Sequence, residues 1–400
     1  MRLVMLADGY LLDPSTGING AQVQMYNLAH AFARRGVEVH YVCLTGGSAM
    51  TQYHSGALTL HWIQPFEKRG AGFSWLRYRK SFQNALQQIA PDAVYQRGRS
   101  FLTYVAAKWA KRTGKPFVWG TNGEDSTEFW KMTGNLYRSR RPAWKKAFLT
   151  PAMFTHDLMI HRGVRMASKV VNQTEFQRKR LLNNYGKIGV VLPSYTLPPS
   201  GKSGIDKEKI VLWLSTLSSF YQPELFLNLA ERCLDLDGWT FVLAGGTPDR
   251  DYEHDVETRA QNITNVRVLG AVPYAETETL YERAALYVRT CKNDGISNAF
   301  IQAWLRRTPV LSLNVDPNGW IEEKGLGFFA RGDMNRLVEQ AREYLIHYQP
   351  GNAMGKKCED FAIATFASDK TIDSYIGIFS SGPASASADH PVSIMEETSA

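Results

Sequence analysis

Cysteine is scarce in this chain, and its spacing suits neither a disulfide framework nor a metal site. Cys43, Cys233, Cys291 and Cys358 stand far apart with no CxxC pair, which points to reduced thiols in the cytoplasm. Long apolar runs are missing as well: nothing approaches the ~18 to 20 residues of a membrane span. The apolar start Leu3-Val-Met-Leu-Ala7 is interrupted by Asp8 and carries no convincing cleavage site, so it reads as a buried first strand and not as a leader. The first turn lacks GxGxxG, since Gly17-Ile-Asn-Gly20 does not supply that spacing. That absence argues against a nicotinamide-dependent dehydrogenase. Acid is absent from one stretch, Trp130 to Phe148, which is rich in Lys and Arg.

A chain of 400 residues exceeds one ordinary core, so two domains are expected. Its net charge of +8 is local. Arg138, Arg140, Arg141, Lys145 and Lys146 cluster around Trp144, and Arg77, Arg79 and Lys80 around Trp75 and Tyr78. Cations beside anionic lipid headgroups contribute about 1 kcal/mol each, and aromatics anchor at the interface. A solvated basic helix explains the same composition equally well. No nucleic-acid-binding module accompanies the patch.

Short apolar runs alternate with helical stretches. Strands are expected at Leu3–Ala7, Val37–Leu44, Leu58–Ile63, Ala93–Gln96, Phe117–Trp119, Lys169–Val171 and Gly189–Leu192. Helices are expected at Ala21–Arg35, Leu76–Ile89, Phe101–Lys111, Met153–Ala167 and Glu175–Asn184. Pro, Gly and Ser then cluster between Pro193 and Gly204, which marks a linker. Beyond it come strands at Ile210–Leu214, Trp239–Leu243, Val266–Leu269, Leu286–Val288 and Val310–Leu313. Helices follow at Glu224–Cys233, Ala275–Ala284, Asn298–Arg306 and Asn335–His347. Such alternation implies parallel sheets covered on both faces, with ligands at the carboxyl ends of the strands. The expected organisation is a first Rossmann-like domain over 1–192, a linker over 193–208 and a second Rossmann-like domain over 209–360. A helix over 361–380 returns to the first domain, and a small, polar, disordered tail fills 381–400.

The stretch Tyr287-Val-Arg-Thr-Cys-Lys-Asn-Asp-Gly-Ile-Ser-Asn-Ala-Phe-Ile-Gln-Ala-Trp304 is the most informative. It reads as a strand, a loop holding Asp294 and Gly295, and a helix opening near Ser297. A helix N-terminus presents free N–H groups and positive potential to a phosphate, while polar side chains meet sugar hydroxyls. The stretch resembles the donor-site signature of the retaining, nucleotide-sugar-dependent glycosyltransferases of family 4 (glycosyl transferases group 1). These have the α/β GT-B fold, two Rossmann-like doubly wound parallel-sheet domains facing across a cleft. Their signature places two acids eight positions apart, with Gly after the first and Ala after the second; here stand Asp294-Gly295 and Gln302-Ala303. Gln followed by Ala-Trp occurs in some members, and Asn314-Val-Asp-Pro317 resembles the same subgroup.

The resemblance spans roughly residues 1–380 and implies roles. Asp294 would contact the sugar, Gln302 the ribose, and the backbone of Gly295, Ile296, Ser297, Asn298 and Ala299 the phosphates. Gly17, Asn19 and Gly20 match the N-terminal glycine-rich loop in part, with Asn19 where a glycine is usual. Asn122 stands where relatives commonly place a histidine that contacts the transferred sugar. Glu124 and Asp125, beside it, would act on an acceptor hydroxyl or cap the next helix. Thr216 and Tyr221 occupy the positions of an Arg and a Lys that neutralise the departing diphosphate, a charge that needs cationic or dipolar help. Lys292 and Arg289 are candidate substitutes, as are the amides from Ser297 to Ala299. Arg97 would face the cleft or form a structural ion pair.

The implied activity is transfer, with retention, from a nucleoside-diphosphate sugar as co-substrate to a glycan or lipid-linked acceptor, as in bacterial surface polysaccharide synthesis. No metal is needed, and no protein nucleophile, because retaining members use a donor phosphate oxygen. The basic patch would place a cytoplasmic protein peripherally at the inner face of the plasma membrane. The missing Arg, Lys and His leave another reading open: a catalytically degenerate GT-B protein acting as a non-catalytic subunit or glycan-binding partner.

Overall fold

The computed structural model describes residues 1–13, 20–44, 52–64, 75–139, 141–198, 207–247 and 249–380. The chain divides into two compact units, one of Met1–Leu197 with the segment from Ser368 onward, the other of Pro198–Ala367.

In the first unit the order begins β1 (Arg2–Ala7), α1 (Gly20–Arg34), β2 (Glu38–Leu44), β3 (Gln52–Ser55), β4 (Leu58–Ile63) and α2 (Trp75–Ile89). It continues with β5 (Ala93–Arg97), α3 (Phe101–Thr113), β6 (Phe117–Gly120), α4 (Lys131–Arg138), α5 (Ala143–Met166), β7 (Lys169–Asn172), α6 (Glu175–Tyr185) and β8 (Val190–Val191). The sheet runs β3-β4-β2-β1-β5-β6-β7-β8. Only β3 is antiparallel, paired with β4 around a turn that puts Gly56 at φ 59. β1 is apolar after its first residue, as a strand buried on both faces must be, and Leu3 to Leu6 are fully buried. The chain lays down β2, β4 and β3 on one side of β1, then returns to its other side for β5. That reversal is the topological switch point of the sheet.

The second unit holds β9 (Glu208–Leu214), α7 (Pro223–Glu231), β10 (Thr240–Ala244), α8 (Arg250–Gln261), β11 (Val266–Gly270), α9 (Tyr274–Arg283) and β12 (Ala284–Arg289). Then follow α10 (Asn298–Leu305), β13 (Val310–Ser312), α11 (Trp320–Glu323), β14 (Gly327–Phe329), α12 (Met334–Ile346) and α13 (Ala353–Phe366). Its sheet is wholly parallel in the order β11-β10-β9-β12-β13-β14. The switch point here lies between β9 and β12. Apolar clusters cover both faces of each sheet, one set gathered round Phe32 and Tyr41 and another round Phe82 and Trp119 in the first unit.

Several expectations need correction. α5 begins at Ala143, not at residue 153, and runs straight through Pro151. Proline removes one ladder bond, but residue 147, whose carbonyl loses its donor, is exposed to water. β3, β14 and α8 were missed; β3 and β14 are too short to show a period, and α8 is polar nearly all round. One helix over 361–380 is in fact two, because the chain turns at Ala367 and Ser368. α13 packs in the second unit, where Trp304 stacks on Phe366 with centroids 6.4 Å apart. α14 (Asp369–Ser380) belongs to the first unit and inserts Ile372, Tyr375 and Phe379 beside Phe32 and Tyr95. The expected tail over 381–400 lies outside the described residues.

Candidate functional site

In the second unit the site is built at the switch point, where β9 and β12 end side by side. All six residues of β12 are buried, so its last side chain, Arg289, is held against the sheet. Arg289 Nη2 donates to Asp294 Oδ2 at 2.6 Å and Nη1 to Ser215 Oγ at 3.0 Å. Its guanidinium also lies over the Tyr221 ring, 4.7 Å from the centroid. Arg289 thus ties the ends of β9 and β12 to the loop that follows. Gly245, at the end of β10, has φ 141, and a Cβ there would meet the Ser215 carbonyl oxygen at 1.7 Å. Only glycine permits that approach.

Asp294 Oδ1 accepts the Gly295 N–H at 3.0 Å, so both carboxylate oxygens have partners. The loop is pinned from two further sides. Thr290 Oγ1 donates to the Tyr221 carbonyl (2.7 Å) and accepts from Trp213 Nε1 (2.9 Å), and Asn314 Nδ2 donates to the Cys291 carbonyl (3.0 Å). α10 then opens with Ser297 as its cap, Oγ accepting the Ala299 N–H at 3.3 Å. Gly295, Ile296 and Ser297 are buried, while Asn298 and Ala299 are half-buried. Gln302 Nε2 donates to the Tyr274 hydroxyl at 3.1 Å, a partner contributed by the first residue of α9. Of the remaining candidates, Thr216 and Lys292 are exposed, and the Lys292 N–H donates to the Phe220 carbonyl at 3.1 Å. Tyr221 is half-buried beneath Arg289.

The first unit repeats the arrangement at its own switch point. Asp8 follows β1, and its carboxyl takes the hydroxyl of Ser100, the cap of α3. One side of Asp8 is open to solvent, yet crowding by protein pushes its pKa up to about 6, the Ser100 bond holding it back. Asn122 stands past the end of β6, half-buried, with its N–H on Ser126 Oγ at 3.0 Å and its carbonyl accepting from Gln177 Nε2 at 3.3 Å. Gly20 is the first residue of α1. Gly17 and Asn19 lie outside the described residues. The short turn after Asn122 is capped by Gly123 without a side-chain bond, and Asp125 instead pairs with Lys131 at 2.6 Å. Arg97 is buried but makes no salt bridge among the described residues; it donates to the Tyr95 hydroxyl (3.4 Å) and Ser194 Oγ (3.5 Å).

The basic stretch folds as the hairpin of α4 and α5. Trp144 and Phe148 are each 67% exposed, one turn apart on α5, and Tyr137 is 55% exposed on α4. Lys145 lies over the Trp144 ring at 5.3 Å, Lys146 Nζ donates to the Tyr137 carbonyl at 2.9 Å, and Arg138 reaches Asn135 Oδ1 at 3.4 Å. Arg141 is exposed, and Arg140 lies outside the described residues. Beneath the hairpin, Arg99 and Asp157 form a buried ion pair at 3.0 Å. Asp157 accepts the first N–H groups of α4, from Met132 (3.0 Å) and Thr133 (2.9 Å), and Arg99 binds the Phe129 carbonyl (3.2 Å) and the Tyr185 hydroxyl (2.8 Å). Nothing in the local sequence marks this pair, because its members are 58 residues apart. Among the described residues no helix is long and apolar enough to cross a membrane.

Two family models match: Glycosyltransferase Family 4 over residues 18–193 and Glycosyl transferases group 1 over residues 208–347. No curated protein matches. Among solved structures, sucrose-phosphate synthase from Thermosynechococcus elongatus is similar at TM-score 0.71 and 13% identity, covering 94% of this chain and 98% of that one. Anabaena Alr3699/HepE in complex with UDP follows at TM-score 0.67 and 15% identity, covering 94% and 99%. A mutant of S. aureus TarM, in complex with fondaparinux, alpha-GlcNAc-glycerol and UDP, has TM-score 0.69 and 11% identity, covering 95% and 100%. At such identities the structural likeness speaks for the fold, and the family models speak for the reaction class. The chain is a glycosyltransferase of the GT-B fold.

Proposed function

We propose that the protein transfers a sugar, with retention, from a nucleoside-diphosphate sugar to a glycan or lipid-linked acceptor. The observation that carries this reading is the assembly at the end of β12, where Asp294, the Gly295 amide and the capped N-terminus of α10 converge at the switch point. A carboxylate suits sugar hydroxyls and helix N-terminal amides suit phosphate. Gln302 is assigned to the ribose, a role supported by the Tyr274 hydroxyl that fixes its amide. UDP in the HepE and TarM structures supports a uridine nucleotide as the first donor to try. Asn122 is assigned to the transferred sugar and the exposed α4–α5 hairpin to an anionic membrane surface, a peripheral attachment on the cytoplasmic side. No metal enters the mechanism proposed, and bacterial surface polysaccharide is the expected product class.

The test is a thermal-shift screen against UDP, GDP, CDP and ADP with their sugar derivatives, followed by NMR of the anomeric centre in any product. A ligand at 100 times its Kd should add about 2.7 kcal/mol of stability. A shift with one base, lost in the Asp294→Ala, Gln302→Ala double variant, and an unchanged anomeric configuration would support the reading. Uncharged Thr216 and Tyr221, at the two positions where the diphosphate cations are expected, favour the degenerate-partner reading. Silence toward all four bases in a folded sample would establish it over catalysis.

A further inference from the structure

Arg289 is an unusual residue to find fully buried. Ion pairs taken out of water gain little stability over apolar groups of the same volume, so packing alone does not account for a guanidinium at this place. Its Nε is buried and has no hydrogen-bond partner, which leaves one donor unspent. It lies at the switch point, where doubly wound sheets take their ligands, bridging Ser215 at the end of β9 and Asp294 in the loop before α10. Asp294 is its only salt-bridge partner among the described residues.

We propose that Arg289 is a binding residue for the donor diphosphate, and that its charge lets the Asp294 carboxylate and an anionic diphosphate occupy one site. This rests on the nucleotide-sugar reading above. A carboxylate placed for sugar hydroxyls stands close to the phosphates joined to that sugar, and like charges at such range repel strongly where water is excluded. A helix N-terminus carries only about half a charge. Arg289 adds a whole one between the two anions: it holds Asp294 before the donor arrives and offsets the repulsion once it has. Thr216 carries no charge, and Lys292 is exposed and forms no salt bridge among the described residues. The geometry therefore assigns the compensating cation to Arg289, which bridges Ser215 and Asp294.

The experiment is calorimetric titration of the intact protein with a nucleoside diphosphate and with the matching nucleoside. It uses wild type, Arg289→Gln, Arg289→Lys, Asp294→Asn and the Arg289→Gln, Asp294→Asn double variant, each checked for folding by thermal melt. Arg289→Gln should weaken the diphosphate at least about tenfold, equivalent to ~1.4 kcal/mol, and leave the nucleoside within about twofold. Asp294→Asn should tighten the diphosphate while lowering transfer. The double variant should bind the diphosphate better than Arg289→Gln alone, because the uncompensated carboxylate is gone. Arg289→Lys should retain most of the affinity.

If Arg289→Gln lowers nucleoside and diphosphate affinity alike, or if the double variant is no better than the single one, Arg289 is structural and the proposal fails. Should Arg289→Gln not fold, Asp294→Asn decides the matter: unchanged or weaker diphosphate binding overturns it. A wild type that binds no nucleoside diphosphate removes the donor reading itself, an outcome distinct from those in which wild type binds and the variants do not discriminate.

Discussion

Gln302 illustrates how one neighbour sets the use of a side chain. An amide has both donors and an acceptor, and the Tyr274 hydroxyl takes up one N–H of the Gln302 amide. In the donor site proposed above, that leaves the Gln302 carbonyl for a ribose hydroxyl. Tyr274→Phe should therefore cost about 1 kcal/mol of nucleotide affinity, roughly fivefold, measured by titration with the nucleotide found in the donor screen. No loss would mean that Tyr274 does not orient Gln302. At a second residue, His61 Nε2 shares a 2.8 Å bond with His40 Nδ1, and His40 contacts Glu38. Burial, aided by His40 and His54, pushes the His61 pKa down to about 4. The unfolded chain then binds the His61 proton below about 6.5, while the folded protein does not until about 4. His61 by itself therefore contributes stability that rises with pH across that window and levels off above it, while Asp8, raised to about 6, contributes the opposite slope. Urea melts from pH 4 to 8 should show the His61 part as the difference between wild type and His61→Phe, a difference that grows from pH 4 to about 6.5 and is then constant. Asp294 and Gln302 were legible because their spacing and following Gly and Ala are local, and Arg289 because it stands beside the same loop; that Arg289 pairs with Asp294 was not, nor was Tyr274, whose contact with Gln302 spans 28 residues.

Among the elements, the α4–α5 hairpin shows how much a buried pair can organise. Asp157 caps the first turn of α4 and neutralises Arg99, which in turn holds the carbonyls leading into that turn. Asp157→Ala strands a buried cation, so a loss of about 3–5 kcal/mol is expected in chemical denaturation. Asp157→Asn should be milder, because it keeps some acceptors for the α4 amides. At α10 the effect is smaller: Ser297→Ala removes an N-cap and should cost ~1 kcal/mol, with phosphate affinity falling as the helix end frays. Strong apolar periodicity made most strands and helices readable. The short strands β3 and β14 and the polar α8 were not, because their formation depends on what they pack against and not on their own pattern.

Over the whole molecule, the proposed membrane attachment rests on the exposed aromatics and cations of the hairpin. Trp144→Ala with Phe148→Ala should abolish sedimentation with vesicles containing anionic phospholipid, and added salt should weaken wild-type binding through screening. Equal sedimentation of wild type and variant would leave the hairpin as a solvated helix. Truncation after Ala367 should uncover Phe32 and Tyr95 by removing Tyr375 and Phe379, and the product should aggregate or melt at lower temperature. By itself the sequence determined the two doubly wound sheets and the stretch that follows β12, since alternation of period and the Asp294 to Gln302 spacing are read along the chain. Tertiary structure alone decided that Arg289 meets Asp294 and Ser215, that Arg99 meets Asp157, and that the helix expected over 361–380 is split, with α13 on the second unit and only α14 on the first. Charge pairing and core completion act through space, and a linear pattern carries no record of which distant side chain will be the neighbour.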